Sequence, residues 1–158
     1  MMILAIDPGN IESGYVLISG SYRPILHGKL PNEELLSTSR RWDYDVLVIE
    51  MVGHYGKGMP AGKTVFDTCV WIGRFTQEAA HRGIRTETVM RGEEKINLCG
   101  SAQAKDANIR QALIDRFALT ANGKGTKNDP DFFYGFAADA WQAFACGVTW
   151  MDKQKSRA

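Results

Sequence analysis

Cysteine is scarce in this chain. Cys69, Cys99 and Cys146 are the only three in 158 positions and stand far apart. They match no zinc-ligand spacing, and an odd number makes no disulfide framework. They read as buried free thiols. No apolar run reaches membrane-spanning length, so no membrane partner is expected. The N-terminus has no basic segment leading into a hydrophobic stretch and cleavage site, so the cytoplasm is the expected compartment. An excess of one charge sign is missing too: 19 basic against 18 acidic side chains leave a net charge of +1. Any nucleic-acid face must therefore come from local clustering, because bulk charge does not supply it. Repeats, low-complexity tracts and linkers are also absent. What is present is the composition of an ordinary globular protein, 44% hydrophobic and 23% charged. The length suits one α/β domain over 1–158 with a proper core and a short tail over 151–158.

The most informative stretch is the first. Met2-Ile3-Leu4-Ala5-Ile6 runs without alternation into Asp7-Pro8-Gly9. A short continuous apolar run reads as a strand buried on both faces, and Asp7 then stands at its carboxyl end, where α/β sheets place ligand sites. Tyr15 to Ser19 reads as the return strand of a hairpin, and 24–30 as a third strand. Pro31-Asn32-Glu33-Glu34 opens a helix to about Arg41, with acidic residues in its first turn. Val46-Leu47-Val48-Ile49 is a second buried strand, and it too ends on a carboxylate, Glu50. Val52 to Lys63 is glycine- and proline-rich and reads as a mobile loop. A helix follows from Thr64, with Asp67 echoing a capping box, and ends near Gly83. Its expected buried face is Val65, Cys69, Ile72 and Thr76, with Phe75 and Ala79 alongside. A strand over 84–90, a helix over 104–117 and a polar loop over 122–131 complete the middle of the chain.

The last helix, expected over about 135–150, is apolar on almost every face, yet it carries Asp139. A buried carboxylate without a partner is costly. Asp139 should therefore meet a metal, hydrogen-bond donors or a basic residue from elsewhere in the fold. Asp7, Glu50 and Asp139 form a set of hard oxygen donors that would repel one another unless a cation relieved them. Mg²⁺ or Mn²⁺ suits such a site, and carboxylate-bound Mg²⁺ commonly engages substrate phosphates.

These pieces together resemble a RuvC-like Holliday junction resolvase of the RNase H-like superfamily, of the phage type. The resemblance spans nearly the whole chain. It rests on Ile6-Asp7-Pro8-Gly9 with Ser13-Gly14, on Val48-Ile49-Glu50 before a loop and a helix, on Gly100-Ser101 with Ala104-Lys105-Asp106, and on Ala137-Ala138-Asp139-Ala140. It implies an RNase H-like fold with a five-stranded mixed sheet flanked by helices. It further implies metal-dependent strand cleavage by a homodimer acting on branched DNA, the four-way junction above all, with Asp7, Glu50 and Asp139 as catalytic metal ligands. In the family's pattern the final helix carries a second acidic or histidine ligand three residues before the aspartate; here that position is Phe136, and Asp129 or Asp131 are the nearby substitutes. The family's basic residues correspond to Lys95, on the DNA backbone, and Lys105, beside the scissile phosphate. Lys57, Lys63 and Arg74 are further candidate phosphate contacts. Tyr55, in the loop after Glu50, is the candidate wedge at the junction centre, with His54 beside it.

Three other readings stand beside this one. Phe136 motivates a junction-binding protein with weak or no catalysis. A related nuclease acting on structured ribosomal RNA precursors shares the Asp-x-Gly start. An actin-like or sugar-kinase-like ATP site also opens on such a hairpin, but the chain is short for two lobes and shows no further phosphate loop.

Overall fold

A computed structural model describes residues 1–53 and 62–158; the expected contacts of His54, Tyr55 and Lys57 lie outside the described residues. The elements are Met2–Asp7 (β1), Glu12–Ser19 (β2), Pro24–Pro31 (β3), Asn32–Ser39 (α1), Val46–Met51 (β4), Lys63–His81 (α2), Arg85–Met90 (β5), Arg91–Cys99 (α3), Asp106–Phe117 (α4) and Ala138–Arg157 (α5). One five-stranded sheet is ordered β3-β2-β1-β4-β5. β3, β2 and β1 pair antiparallel, and β1, β4 and β5 pair parallel.

The unbroken apolar runs of β1 and β4 arise because both sheet faces are covered. Ile3 and Ala5 of β1, with Val46 and Val48 of β4, pack under α5 and α4. Leu4 and Ile6, with Leu47 and Ile49, pack against α1 and α2. Side chains alternate between faces along a strand, so Asp7 and Glu50 both project to the α5 face. The α5 helix lies across β1 and β2, and nearly every residue from Ala140 to Met151 is buried. It sits close to the sheet because Gly147 allows it: a Cβ there would stand 2.4 Å from Ile18 Cδ1 and 3.1 Å from Ala5 Cβ.

Several expectations need correction. α5 begins at Ala138, not 135, and continues to Arg157, so residues 151–157 are helix and not a tail. The last helical turns are held there by Asp152, which accepts hydrogen bonds from Tyr22, Asn97 and Arg116. α3 has no counterpart in the sequence reading; its start is capped by the Glu93 carboxylate, which accepts from the Met90 N–H at 2.6 Å. α4 starts at Asp106, two residues later than expected, where the Asn108 side chain accepts from the Lys105 N–H. In α2 the N-cap is Gly62, without a side-chain cap, and Asp67 pairs with Lys63 instead. The buried stripe of α2 is Thr68, Ile72, Phe75 and Ala79. Ile72, Phe75 and Ala79 are thus core as expected, Val65, Cys69 and Thr76 are only half-buried, and Phe66 and Val70 are large apolar side chains that this helix exposes.

Candidate active site

Sheet register builds the site. Ile6 pairs with Ile49, which brings Asp7 level with Glu50 on adjacent parallel strands. Asp7 also pairs with Gly14, and Gly14 with Lys29. Lys29, Gly14, Asp7 and Glu50 thus form one row across β3, β2, β1 and β4 on the α5 face. Gly14 leaves a gap in that row, and the first turn of α5 enters it: a Cβ on Gly14 would lie 2.5 Å from the Asp139 carbonyl oxygen and 2.7 Å from its Cβ. Asp139 arrives beside Asp7 for this reason. A Gly14→Ala substitution should push α5 away, costing about 1–3 kcal/mol as overpacking does and slowing any chemistry at the site about 10²-fold through misplacement of Asp139. Thermal melting and single-turnover rates measure the two effects separately.

The loop from Pro8 to Ile11 is tied down by two buried polar residues. The Gly9 N–H donates to Ser13 Oγ at 3.1 Å, the Ser13 hydroxyl donates to Asn32 Oδ1 at 2.6 Å, and Asn32 Nδ2 donates to the Gly9 carbonyl at 2.9 Å. The loop forms one wall of a cleft of about 340 Å³ lined also by Asp7, Glu12, Gly14, Lys29 and Asp139.

Asp139 departs from expectation. It is not buried but half-exposed at the cleft mouth, and its partner is a basic residue from elsewhere in the fold: Lys29 Nζ lies 2.7 Å from its Oδ2. Glu50 is deeper, with Arg91 Nη1 4.0 Å from Oε1, while Oε2 is buried without a partner. Arg91 is a hub. It donates to Glu94 at 3.0 Å and reaches Asp106 on α4 and Gln142 on α5. Glu94 is fully buried beneath the row, one of its oxygens unpartnered.

Crowding shows in the acidities. Burial first, and then the charges of Glu50 and Asp139, push the Asp7 carboxyl from 3.8 up to about 7, against the opposing pull of Arg91 and Lys29. Burial also raises Glu50, with Arg91 opposing it. Burial and the neighbouring Glu50 push Glu94 up to about 9. Such a centre is short of positive charge.

Divalent-cation chemistry fits these residues. The donors are hard carboxylate oxygens, and one of them, Glu50 Oε2, is buried and unsatisfied. With the side chains as they stand, no three histidine, cysteine or acidic groups among the described residues close into a cage; Asp139 is paired with Lys29, and Glu50 lies 4.0 Å from Arg91.

The remaining candidates are spread around this centre. Lys105 is exposed at the head of α4, next to the Asp106 that Arg91 binds, and Lys95 is half-buried on α3. Lys63 pairs with Asp67 at the start of α2. Arg74 pairs with Glu33 at 2.8 Å and lies 4.0 Å from the centre of the Trp71 ring. Asp131 does other work. It accepts from the N–H groups of Leu119 and Thr120 and from the Thr120 hydroxyl, bonds that hold its carboxyl well below the usual range. Asp129 contributes its backbone oxygen to the same loop. Phe136 is 2% exposed, precedes α5, and packs on His27, Phe133 and Trp141.

Sequence reasoning missed Lys29, Arg91, Glu94 and the Ser13–Asn32 strap. Only the register of two successive hairpins would have placed Lys29 beside Asp7, and nothing in the local sequence marks Arg91 or Glu94.

No protein-family model matches the chain, and no curated protein matches it in sequence. Solved structures do. The RuvC structure of Thermus thermophilus matches with a TM-score of 0.70 and 15% identity, covering 99% of this chain and 97% of that one. T. thermophilus RuvC in complex with Holliday junction substrate matches with a TM-score of 0.73 and 12% identity, covering 99% and 96%. The chain has the RuvC-type, RNase H-like fold: a mixed five-stranded sheet with flanking helices.

Proposed function

We propose that this protein is a structure-selective endodeoxyribonuclease that resolves four-way junctions and other branched DNA by divalent-metal-dependent hydrolysis. The observation that carries the reading is that Asp7 and Asp139 line one cleft, with Glu50 beside Asp7 at the end of the adjacent parallel strand, in a fold shared over nearly its whole length with RuvC in complex with Holliday junction substrate. Asp7, Glu50 and Asp139 would hold Mg²⁺, or Mn²⁺ in its place; the ion supplies an activated water and charge stabilisation at the leaving oxygen. Asp7 and Glu50 are fixed by the ends of two buried strands, so they orient whatever binds between them. Asp139 is brought in by α5 and gated by Lys29. Arg91 limits the repulsion among the inner carboxylates.

DNA contacts belong to the same proposal. Lys105 and Lys95 would take phosphates on the α3–α4 side and Lys63 and Arg74 on the α2 side, with Lys57 and Tyr55, which precede α2 in sequence, as further contacts. Two opposed strands need two active sites, which a homodimer with one two-fold interface supplies. The exposed Phe66 and Val70 stripe of α2 is the proposed interface. A bacterial or phage-infected cytoplasm is the corresponding compartment.

The test is cleavage of a synthetic four-way junction by metal-stripped protein with Mg²⁺ or Mn²⁺ restored, beside a linear duplex and a structured RNA. Paired nicks in the junction, dependent on added metal, are expected. Efficient cleavage of the RNA alone would move the substrate to structured RNA. A second reading, junction binding without cleavage, draws on Phe136 and on the two basic residues beside Asp139 and Glu50. Tight junction binding with no cleavage in either metal would establish it.

A further inference from the structure

Lys29 has no part in the expected ligand set, yet its ammonium lies 2.7 Å from the Asp139 carboxylate. Its position follows from register: Lys29, Gly14 and Asp7 are successive partners across three strands. Neighbouring strands lie about 5 Å apart, so its long stem brings the ammonium to the Asp139 carboxylate, which α5 seats over Gly14, and near enough for its charge to act on Asp7. It stands on β3, the edge strand of the sheet, with its side chain 43% exposed. Among the described residues that line the cleft it is the single cationic side chain, facing the carboxylates of Asp7, Glu12 and Asp139. A phosphodiester entering that cleft meets three acids and one base.

We propose that Lys29 is a catalytic cation of this centre that exchanges partners. In the free protein its ammonium holds Asp139. When a nucleic-acid strand enters the cleft, the ammonium passes to a non-bridging oxygen of the reacting phosphate, and Asp139 is released to the incoming metal. The exchange moves no proton and breaks no covalent bond; it replaces one charge-assisted hydrogen bond by another. The long flexible stem of lysine suits a group that must change partners, where the planar fork of arginine suits a fixed pair. The proposal rests on the nuclease reading, and it adds a residue that the carboxylate set does not include. The plain alternative is an edge-strand lysine that only pairs with acids on its own face, Glu12 at 4.0 Å being the other.

Lys29→Met and Lys29→Arg separate the two, alongside wild-type protein, with circular dichroism melts to establish folding at this exposed position. Mn²⁺ titration by calorimetry is run without DNA. Single-turnover cleavage of a four-way junction is run at saturating Mn²⁺. Lys29→Met should bind Mn²⁺ about tenfold more tightly, because a competing cation is gone, yet cleave about 10²-fold more slowly, because a charge on the reacting phosphate is gone. Lys29→Arg should recover part of the rate. This opposition of affinity and rate is what an edge-pairing lysine would not produce. An unchanged or weaker Mn²⁺ affinity in Lys29→Met, or a wild-type cleavage rate, overturns the proposal. Wild-type protein that cuts no junction overturns the nuclease reading itself, and the Mn²⁺ titration then decides alone whether Lys29 belongs to the centre.

Discussion

Asp7→Asn is expected to abolish junction cleavage, by 10³-fold or more on the scale of a lost metal ligand and its activated water, while junction binding stays intact or tightens. The binding half follows from charge: removing one carboxylate from a crowded acidic row lowers its repulsion of phosphate. A third consequence is stability, and its sign comes from the Asp7 acidity. In the folded, metal-free protein the carboxyl titrates at about 7, against an ordinary 3.8. Between those values the unfolded chain has lost the proton that the native state keeps, so native stability falls as pH rises through the window. Asparagine keeps the shape, cannot ionise, and can donate a hydrogen bond to Glu50 as the protonated Asp7 would. The metal-free variant should therefore melt higher than metal-free wild type at pH 8, on the order of 5 °C, with the difference closing near pH 4. Added Mg²⁺ or Mn²⁺ should raise the wild-type midpoint and leave that of the variant nearly unmoved. Cleavage by the variant at the wild-type rate, or a lower melting point at pH 8, would remove Asp7 from the centre.

The sequence made some of this site legible and hid the rest for identifiable reasons. Asp7 and Glu50 could be found because a doubly covered strand reads as an unbroken apolar run, and each run ends on its acid. Their common face then follows from the parallel register that sets Ile6 opposite Ile49. Asp139 could be found as an acid in an apolar helix, but its environment could not: placing the helix start at 135 put the residue a full turn inside, whereas α5 opens at Ala138 and leaves Asp139 in the first turn, at the cleft mouth. Lys29 was hidden because β3 is an exposed edge strand whose sequence alternates weakly, so nothing fixes its register until β2 is in place. α3 was hidden by Gly92 and by the lack of a serine, threonine or aspartate at its cap; Glu93 and the left-handed Gly100 were the signals available. On α2 the buried stripe runs through Thr68, Ile72, Phe75 and Ala79, so Ile72, Phe75 and Ala79 were legible while Val65, Cys69 and Thr76 lie only at its edge. The general lesson concerns cations: acids announced themselves against apolar strands, while the basic residues that compensate them came from distant segments that only the fold brings near.

Phe136 carries the last expectation. The family pattern suggests that an acid or histidine at this position completes the metal site, so that Phe136→Asp or Phe136→His should raise metal affinity. The structure points the other way. Phe136 lies before α5, and its ring sits in an aromatic cluster, 4.4 Å from His27, 5.1 Å from Phe133, 5.3 Å from Trp141 and 5.8 Å from Phe144. His27 is two residues from Lys29 on β3 and pairs with Val16, which pairs with Ala5. Phe136 thus packs one row deeper than Lys29, Gly14 and Asp7, and it does not line the cleft. An aspartate placed there would be a buried charge without a cation beside it and would leave a cavity among four rings. Loss of a buried phenylalanine costs about 3–5 kcal/mol before any charge penalty. Phe136→Asp should lower the melting point by roughly 10 °C or more on the scaling for a domain of this size. Phe136→His, which keeps a ring, should lose less. Neither variant should bind Mn²⁺ more tightly by calorimetry or cleave faster in single turnover. A gain in Mn²⁺ affinity by a folded Phe136→His protein would show that this position reaches the metal, and the aromatic cluster would then have to open towards the cleft when the metal binds.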